Sequence, residues 1–185
     1  MTPRLVIRPM QPSDAADLLE VYGDVETMQF LTRAEHLPRS LIDARKWMAP
    51  KMDQQERDGI SLWSVWHRAD ARVIGDCGLQ WEDETHTLPG LGFRFNRAYW
   101  GQGLACEACA ACLKAAFDEL EVSHVVCGTD VNNVAARRLI ERLGMRYARN
   151  VDWFGRTMAE YELSAEEWAA HGDTARKAMR CGTEA

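Results

Sequence analysis

Residues 97 to 107 read Arg-Ala-Tyr-Trp-Gly-Gln-Gly-Leu-Ala-Cys-Glu, and their reading decides the fold. Before them, Leu91-Gly92-Phe93-Arg94-Phe95 reads as a strand. After them, Leu104 to Leu120 reads as a helix, with Leu113, Ala116, Phe117 and Leu120 on one face. A glycine-rich turn that feeds a helix start suits an anion. Glycines let the backbone fold close, successive N–H groups point at one spot, and the helix dipole adds about half a positive charge. A phosphate or pyrophosphate fits best. The spacing matches neither the Walker pattern, which needs Gly-Lys-Ser/Thr, nor Gly-x-Gly-x-x-Gly. A tight turn with no ligand is the plainer reading of two glycines alone, so the flanking chain must decide.

Upstream, Arg4 to Arg8 alternates polar and apolar residues as a strand does, and Pro9 and Pro12 end it. Ser13 or Asp14 is placed to cap a helix to about Tyr22, and Gly23-Asp24 breaks it. Val25 to Leu31 reads as a short helix and Thr32 to Pro38 as loop. Ser40 caps a longer helix to about Arg57, interrupted or bent at Pro50. Ile60 to His67, Arg72 to Trp81 and Gly90 to Phe95 then form three strands with short turns, which predicts an antiparallel meander.

Downstream the pattern changes. Ser123 to Thr129 is a strand. Asn132 or Asn133 caps a helix to Leu143, with Gly144 just past its end. Met145 to Phe154 and Thr157 to Leu163 form a hairpin turning at Gly155. Ser164-Ala165-Glu166-Glu167 opens a last helix with a capping box. The crossover from 91–95 through the helix to 123–129 should pair parallel and right-handed. Ligands of such sheets sit off the carboxyl ends of the strands, where the glycine turn lies.

The 185 residues fit a single domain, residues 1–185, with a flexible tail expected after about 176. Hydrophobic residues make up 46%, enough for a sizeable core, and no apolar run approaches a membrane helix. No signal peptide is visible, so a cytoplasmic protein is expected. A net charge of -6 argues against broad nucleic-acid or membrane binding and suits a cationic substrate. Cys106, Cys109 and Cys112 have Cys-x-x-Cys-x-x-Cys spacing. The fourth Cys followed by Pro that an iron–sulfur site needs is missing, so they read as helix packing, and no metal is expected.

These residues together resemble the GNAT superfamily of N-acetyltransferases, in the branch of the RimJ/RimL-type ribosomal-protein acetyltransferases. Arg4-Leu5-Val6-Ile7-Arg8-Pro9 is similar to that branch's first strand. Leu91 to Phe95 followed by Tyr99 to Ala108 is similar to its acetyl-CoA motif. Asn133 to Met145 is similar to its Asn-containing helix, and Tyr161-Glu162-Leu163 with Trp168 closes the match.

The resemblance implies a mixed α/β fold: a mostly antiparallel sheet of about seven strands, one parallel pair splayed open, and flanking helices. It implies acetyl-CoA as cosubstrate, its pyrophosphate on the amides of Gly101, Gln102, Gly103, Leu104, Ala105 and Cys106. The pantetheine arm would lie along Phe93, Arg94 and Phe95 as an added strand. Asn133 would hydrogen-bond that arm, and Arg137 or Arg138 could reach a CoA phosphate or simply be solvated.

The implied reaction is direct acetyl transfer to a primary amine, either a protein N-terminus or a small molecule, in a protein that a homodimer would suit. The hydroxyl that relatives carry three residues after the Asn is Ala136 here, and the usual Glu before Leu91 is Gly90. For a general base the candidates are Glu82, Glu84 and His86, which otherwise read as a solvated turn. The acceptor pocket is expected between 25–38 and 153–158, with Trp47, Trp63, Trp66 and Trp81 as candidate lining. An acyl-CoA-binding module without catalysis and a generic nucleotide-binding domain are the alternatives.

Overall fold

The computed structural model describes residues 2–81, 88–153 and 155–170. Glu82, Glu84 and His86 lie outside the described residues, as does the tail after about 176. Strand β1 (Leu5–Arg8) is followed by helices α1 (Ala15–Tyr22), α2 (Val25–Met28) and α3 (Leu41–Asp58). The meander comes next: β2 (Leu62–His67), β3 (Arg72–Trp81) and β4 (Pro89–Phe95). Then follow α4 (Leu104–Asp118), β5 (His124–Asp130), α5 (Val134–Arg142), β6 (Arg146–Trp153) and β7 (Arg156–Ser164). Residues 165–170 are helical.

Local chemistry explains most boundaries. Asp24 accepts from the Thr27 N–H and starts α2. Ser40 accepts from the Asp43 N–H and starts α3, which Gly59 ends at φ 74°, a value that favours glycine. Ser164 and Glu167 form the reciprocal capping box, Ser164 N–H to Glu167 at 2.9 Å and Glu167 N–H to Ser164 Oγ at 3.2 Å.

Three expectations need correction. α3 is not interrupted at Pro50 and runs through it as one helix. α2 stops at Met28, and residues 34–36 make a turn of 3-10 helix inside the expected loop. Asp14 does not cap α1 with its side chain. Its carboxylate instead takes a two-pronged bond from Arg8 at 2.7 and 2.8 Å, plus bonds from Ser64 Oγ and the Gln11 N–H. A bidentate guanidinium outcompetes an exposed cap.

The strands form one seven-stranded sheet in the order β1-β2-β3-β4-β5-β7-β6. All neighbours are antiparallel except β4 and β5, which are parallel and in register only at Gly90 and Val126. Beyond that pair the two strands part. Helices cover both faces of the sheet. α4 packs on one over a core of Leu79, Leu91, Phe95, Leu113, Val125 and Leu163. On the other, α1 and α3 pack through Leu18, Tyr22, Met48 and Leu62. Cys77, Cys106, Cys109, Cys112 and Cys127 are buried in the α4 core, as packing residues would be. No helix among the described residues is long and apolar enough to cross a membrane.

Candidate active site

The glycine turn lies between β4 and α4. Gly101 and Gly103 have φ of 74° and 73°, the left-handed region that costs glycine little. Gly103 is the residue that starts α4, and no side chain caps that end. The first N–H groups of α4 therefore point outward, having no intrahelical acceptor. A Cβ on Gly101 would meet nothing within 4 Å, and one on Gly103 would meet only Arg4 Nη2 at 3.6 Å. The turn is open, and its free side can admit an anion.

Arg4 and Glu107 hold the turn from below, a pairing that sequence pattern did not reveal. Glu107 lies in the first turn of α4 and is 1% exposed. It accepts from Thr2 Oγ1 at 2.6 Å, the Arg4 N–H at 3.0 Å and Arg4 Nε at 2.7 Å. Arg4 Nη1 donates to the Gln102 carbonyl at 2.9 Å. A carboxylate also suits the positive end of a helix. The only sequence signal was an acidic residue in the first turn; its partners lie about a hundred positions away.

The split between β4 and β5 opens directly before this turn. Asn96 N–H donates to the Ile74 carbonyl at 2.8 Å, which fixes the alternation along β4. Arg94 accordingly faces its main chain toward β3, opposite Asp76. Phe93 and Phe95 turn theirs toward the split. The Phe95 carbonyl takes a 2.7 Å bond from Trp100 Nε1, and the Trp100 side chain is itself 47% exposed beside the turn.

The Arg94 side chain enters the α1–α3 face and makes a buried network. Its Nε and Nη2 each lie 2.8 Å from Asp76, which is 0% exposed, and Tyr22 Oη donates to the same carboxylate at 2.6 Å. Burial, reinforced by Asp76, pushes the Tyr22 phenol well above its ordinary pKa. Above Tyr22, Lys51 Nζ lies 4.9 Å from the ring centroid and 5.9 Å from that of Trp47, donating to the Trp47 carbonyl at 2.8 Å. Burial, helped by Arg94 and opposed by Asp76, lowers the Lys51 pKa to about 8.

On the far lip, Asn133 caps α5 by accepting from the Ala136 N–H at 3.1 Å. Its side-chain amide N–H groups donate to no acceptor among the described residues. Arg137 is turned inward, donating to Tyr161 Oη at 2.9 Å and the Val131 carbonyl at 3.2 Å, whereas Arg138 is exposed. Both line a recess of about 210 Å3 with Val134 and Glu141. Of the tryptophans, Trp47 sits by Lys51 on the α1–α3 face and Trp66 lies under Arg8. Trp63 instead lines a cavity of about 220 Å3 with Ile60, Leu79, Cys112 and Leu120 against α4, away from the expected acceptor side. Trp81 packs against the α4 core.

The family model of the "Acetyltransferase (GNAT) domain" matches residues 4–146. YkkB, a Bacillus subtilis (strain 168) protein without an assigned activity, is 27% identical over 164 residues, covering 88% of this chain and 93% of its own. YdaF of the same strain, named provisionally as a ribosomal N-acetyltransferase, is 26% identical over 174 residues, covering 89% and 93%. A GCN5-related N-acetyltransferase from Brucella melitensis superposes with a TM-score of 0.82 at 17% identity, covering 96% of this chain and 83% of that one.

Proposed function

The chain belongs to the GNAT acetyltransferase family, and from that premise we propose that it is an N-acetyltransferase moving the acetyl group of acetyl-CoA to a primary amine. The observation that carries the reading is the parting of β4 and β5 immediately before an uncapped helix N-terminus. A strand edge and an anion cradle then sit end to end, as a long ligand with amides and a pyrophosphate needs.

Acetyl-CoA supplies an acyl group activated as a thioester, which an amine nitrogen attacks with loss of the thiol. The amides of Gln102 to Cys106 hold the pyrophosphate, and Gly101 and Gly103 keep side chains out of its way. Phe93 and Phe95 offer main-chain groups to the pantetheine arm, and a β4 N–H is placed to receive the developing oxyanion. Asn133 offers its amide N–H to the arm while its carbonyl oxygen caps α5. Arg138, being exposed, is the better placed of the two arginines for a CoA phosphate. The acceptor enters from the α1–α3 side, and holding it against the thioester supplies much of the rate.

A second reading is an acyl-CoA-binding module without turnover, favoured by Ala136, which brings no hydroxyl to the start of α5. Thermal unfolding with acetyl-CoA, CoA or ATP tests the cofactor. Ligand at about 100 times its dissociation constant should add roughly 2.7 kcal/mol and raise the midpoint by several degrees. A shift with both CoA forms and none with ATP supports the site. No shift with either CoA form sinks it. Thiol release with a panel of amines then separates enzyme from binding module.

A further inference from the structure

The two lips of the split differ in charge, and this bears on the acceptor: the β4 side carries a surplus cation, while on the β5 side a carboxylate faces a single arginine. β4 and β5 are parallel and in register at Gly90 and Val126. Four residues further along each strand stand Arg94 and Asp130, which strand alternation puts on the same face, one on each lip. On β4, Arg94 is consumed by Asp76, and Lys51 lies above them. That side holds two cations against one carboxylate, and burial resists the second cation enough to draw its pKa down to about 8. It repels an ammonium group.

Asp130 on β5 is 8% exposed. One oxygen, Oδ1, accepts both the Asn132 N–H at 2.9 Å and Asn132 Nδ2 at 3.0 Å. The other, Oδ2, has a single charged neighbour among the described residues. This is Arg156 Nη1, 3.7 Å away, beyond hydrogen-bond distance, and that same nitrogen donates to the Gln29 carbonyl at 3.0 Å. Gln29 lies just past α2 and Arg156 opens β7, so the arginine spans the two segments expected to bound the acceptor. Oδ2 accepts no hydrogen bond among the described residues, and since none of their buried side-chain oxygens is left unpaired, it stays open to solvent, where an ammonium donor can take up the free position as a charge-assisted bond. Next to it, a Cβ on Gly128, whose residue faces the same way two positions earlier, would meet nothing within 4 Å, so the approach is open.

We infer that Asp130 Oδ2 is the dock for the acceptor's ammonium group, with Arg156 as the neighbour that an incoming ammonium supplements or displaces. The inference rests on the acetyltransferase reading and names its substrate class: an acceptor that arrives as a primary ammonium and is aligned through N–H donation to Asp130.

The test needs no knowledge of the natural acceptor. Propylammonium chloride is the probe and tetramethylammonium chloride at equal ionic strength the control, since only the first can donate. Thermal midpoints are read on CoA-loaded wild type, Arg156→Gln and Asp130→Asn. At about ten times its dissociation constant, propylammonium should raise the midpoint by about 3 °C over the control. The difference should grow in Arg156→Gln and vanish in Asp130→Asn. An equal difference in wild type and Asp130→Asn overturns the inference. Should Asp130→Asn not fold, Arg156→Gln decides, and no gain over wild type overturns it. The shift from CoA alone is measured in parallel. Its persistence in wild type while the amine effect fails isolates the failure to Asp130, whereas its absence indicts the cofactor site.

Discussion

The two faces of the sheet are built from different materials. Under α4 the packing is apolar, with Leu79, Leu91, Leu113 and Val125 around five thiols that stay inside. Under α1 and α3 the packing is interrupted by Asp14, Ser64 and Asp76, none more than 3% exposed, with Arg8, Arg94, Tyr22 and Lys51 around them. Buried ion pairs add little stability compared with apolar residues of the same shape, but breaking one is costly. The α4 face therefore holds the glycine turn in place, and the ionic face fixes charges beside the split. The contrast predicts that single changes on the two faces differ in size and in sign.

The largest effect should come from Asp76→Ala. It leaves Arg94 buried without its carboxylate and Tyr22 Oη without its acceptor. A loss of about 4 kcal/mol is expected in urea unfolding. A loss below about 1 kcal/mol would erase the distinction between the faces. Next is Lys51→Met, which should stabilise by up to about 3 kcal/mol at neutral pH, because the ammonium is held at a pKa of about 8 against an ordinary 10.5. The folded value is the lower one, so between those limits the unfolded chain binds the extra proton and wild-type stability gains as pH rises. The advantage of Lys51→Met should be full below pH 8 and gone by about pH 10.5. A pH-independent advantage would mean that packing, not charge, explains it.

The apolar face was legible in the sequence and the ionic face was not. Periodicity located β3 over 72–81 and placed the glycine turn and the helix after it, because each rests on neighbours one to four positions apart. Asn133 and Gly144 were readable as caps for the same reason. Asp76 with Tyr22, Glu107 with Arg4 and Arg156 with Gln29 pair residues 54, 103 and 127 positions apart, and no local pattern marks them. Asp14 shows the conflict directly: its position promised a helix cap, and a guanidinium on β1 claimed it. The insertion of β7 between β5 and β6 was equally hidden, since a hairpin pattern does not say which arm docks.

Glu107→Gln probes the seam between the faces, where β1 meets α4. Neutralising the carboxylate weakens charge-assisted bonds from Arg4 and Thr2, for a loss of about 2 kcal/mol. Arg4 also holds the Gln102 carbonyl, so acetyl-CoA affinity measured by calorimetry should fall with stability. Unchanged affinity would separate the turn from its support.

The smallest effect should be Cys109→Ala, on the apolar face. Cys77 Sγ lies 3.7 Å from Cys109 Sγ and 3.6 Å from Cys112 Sγ, so one thiol neighbour remains when Cys109 is shortened. Burial, first among its causes, raises the Cys109 thiol's pKa, as expected of a packing residue that does not ionise. Losing one sulfur from a well-packed core should cost about 1 kcal/mol and leave the acetyl-CoA shift intact. Dialysis against a chelator should not alter the midpoint of either protein. A loss several times larger, or one that the chelator reproduces in wild type, would make the thiols ligands. The core under α4 would then hold charge at its thiols, and the contrast with the ionic face would shrink to which groups carry it.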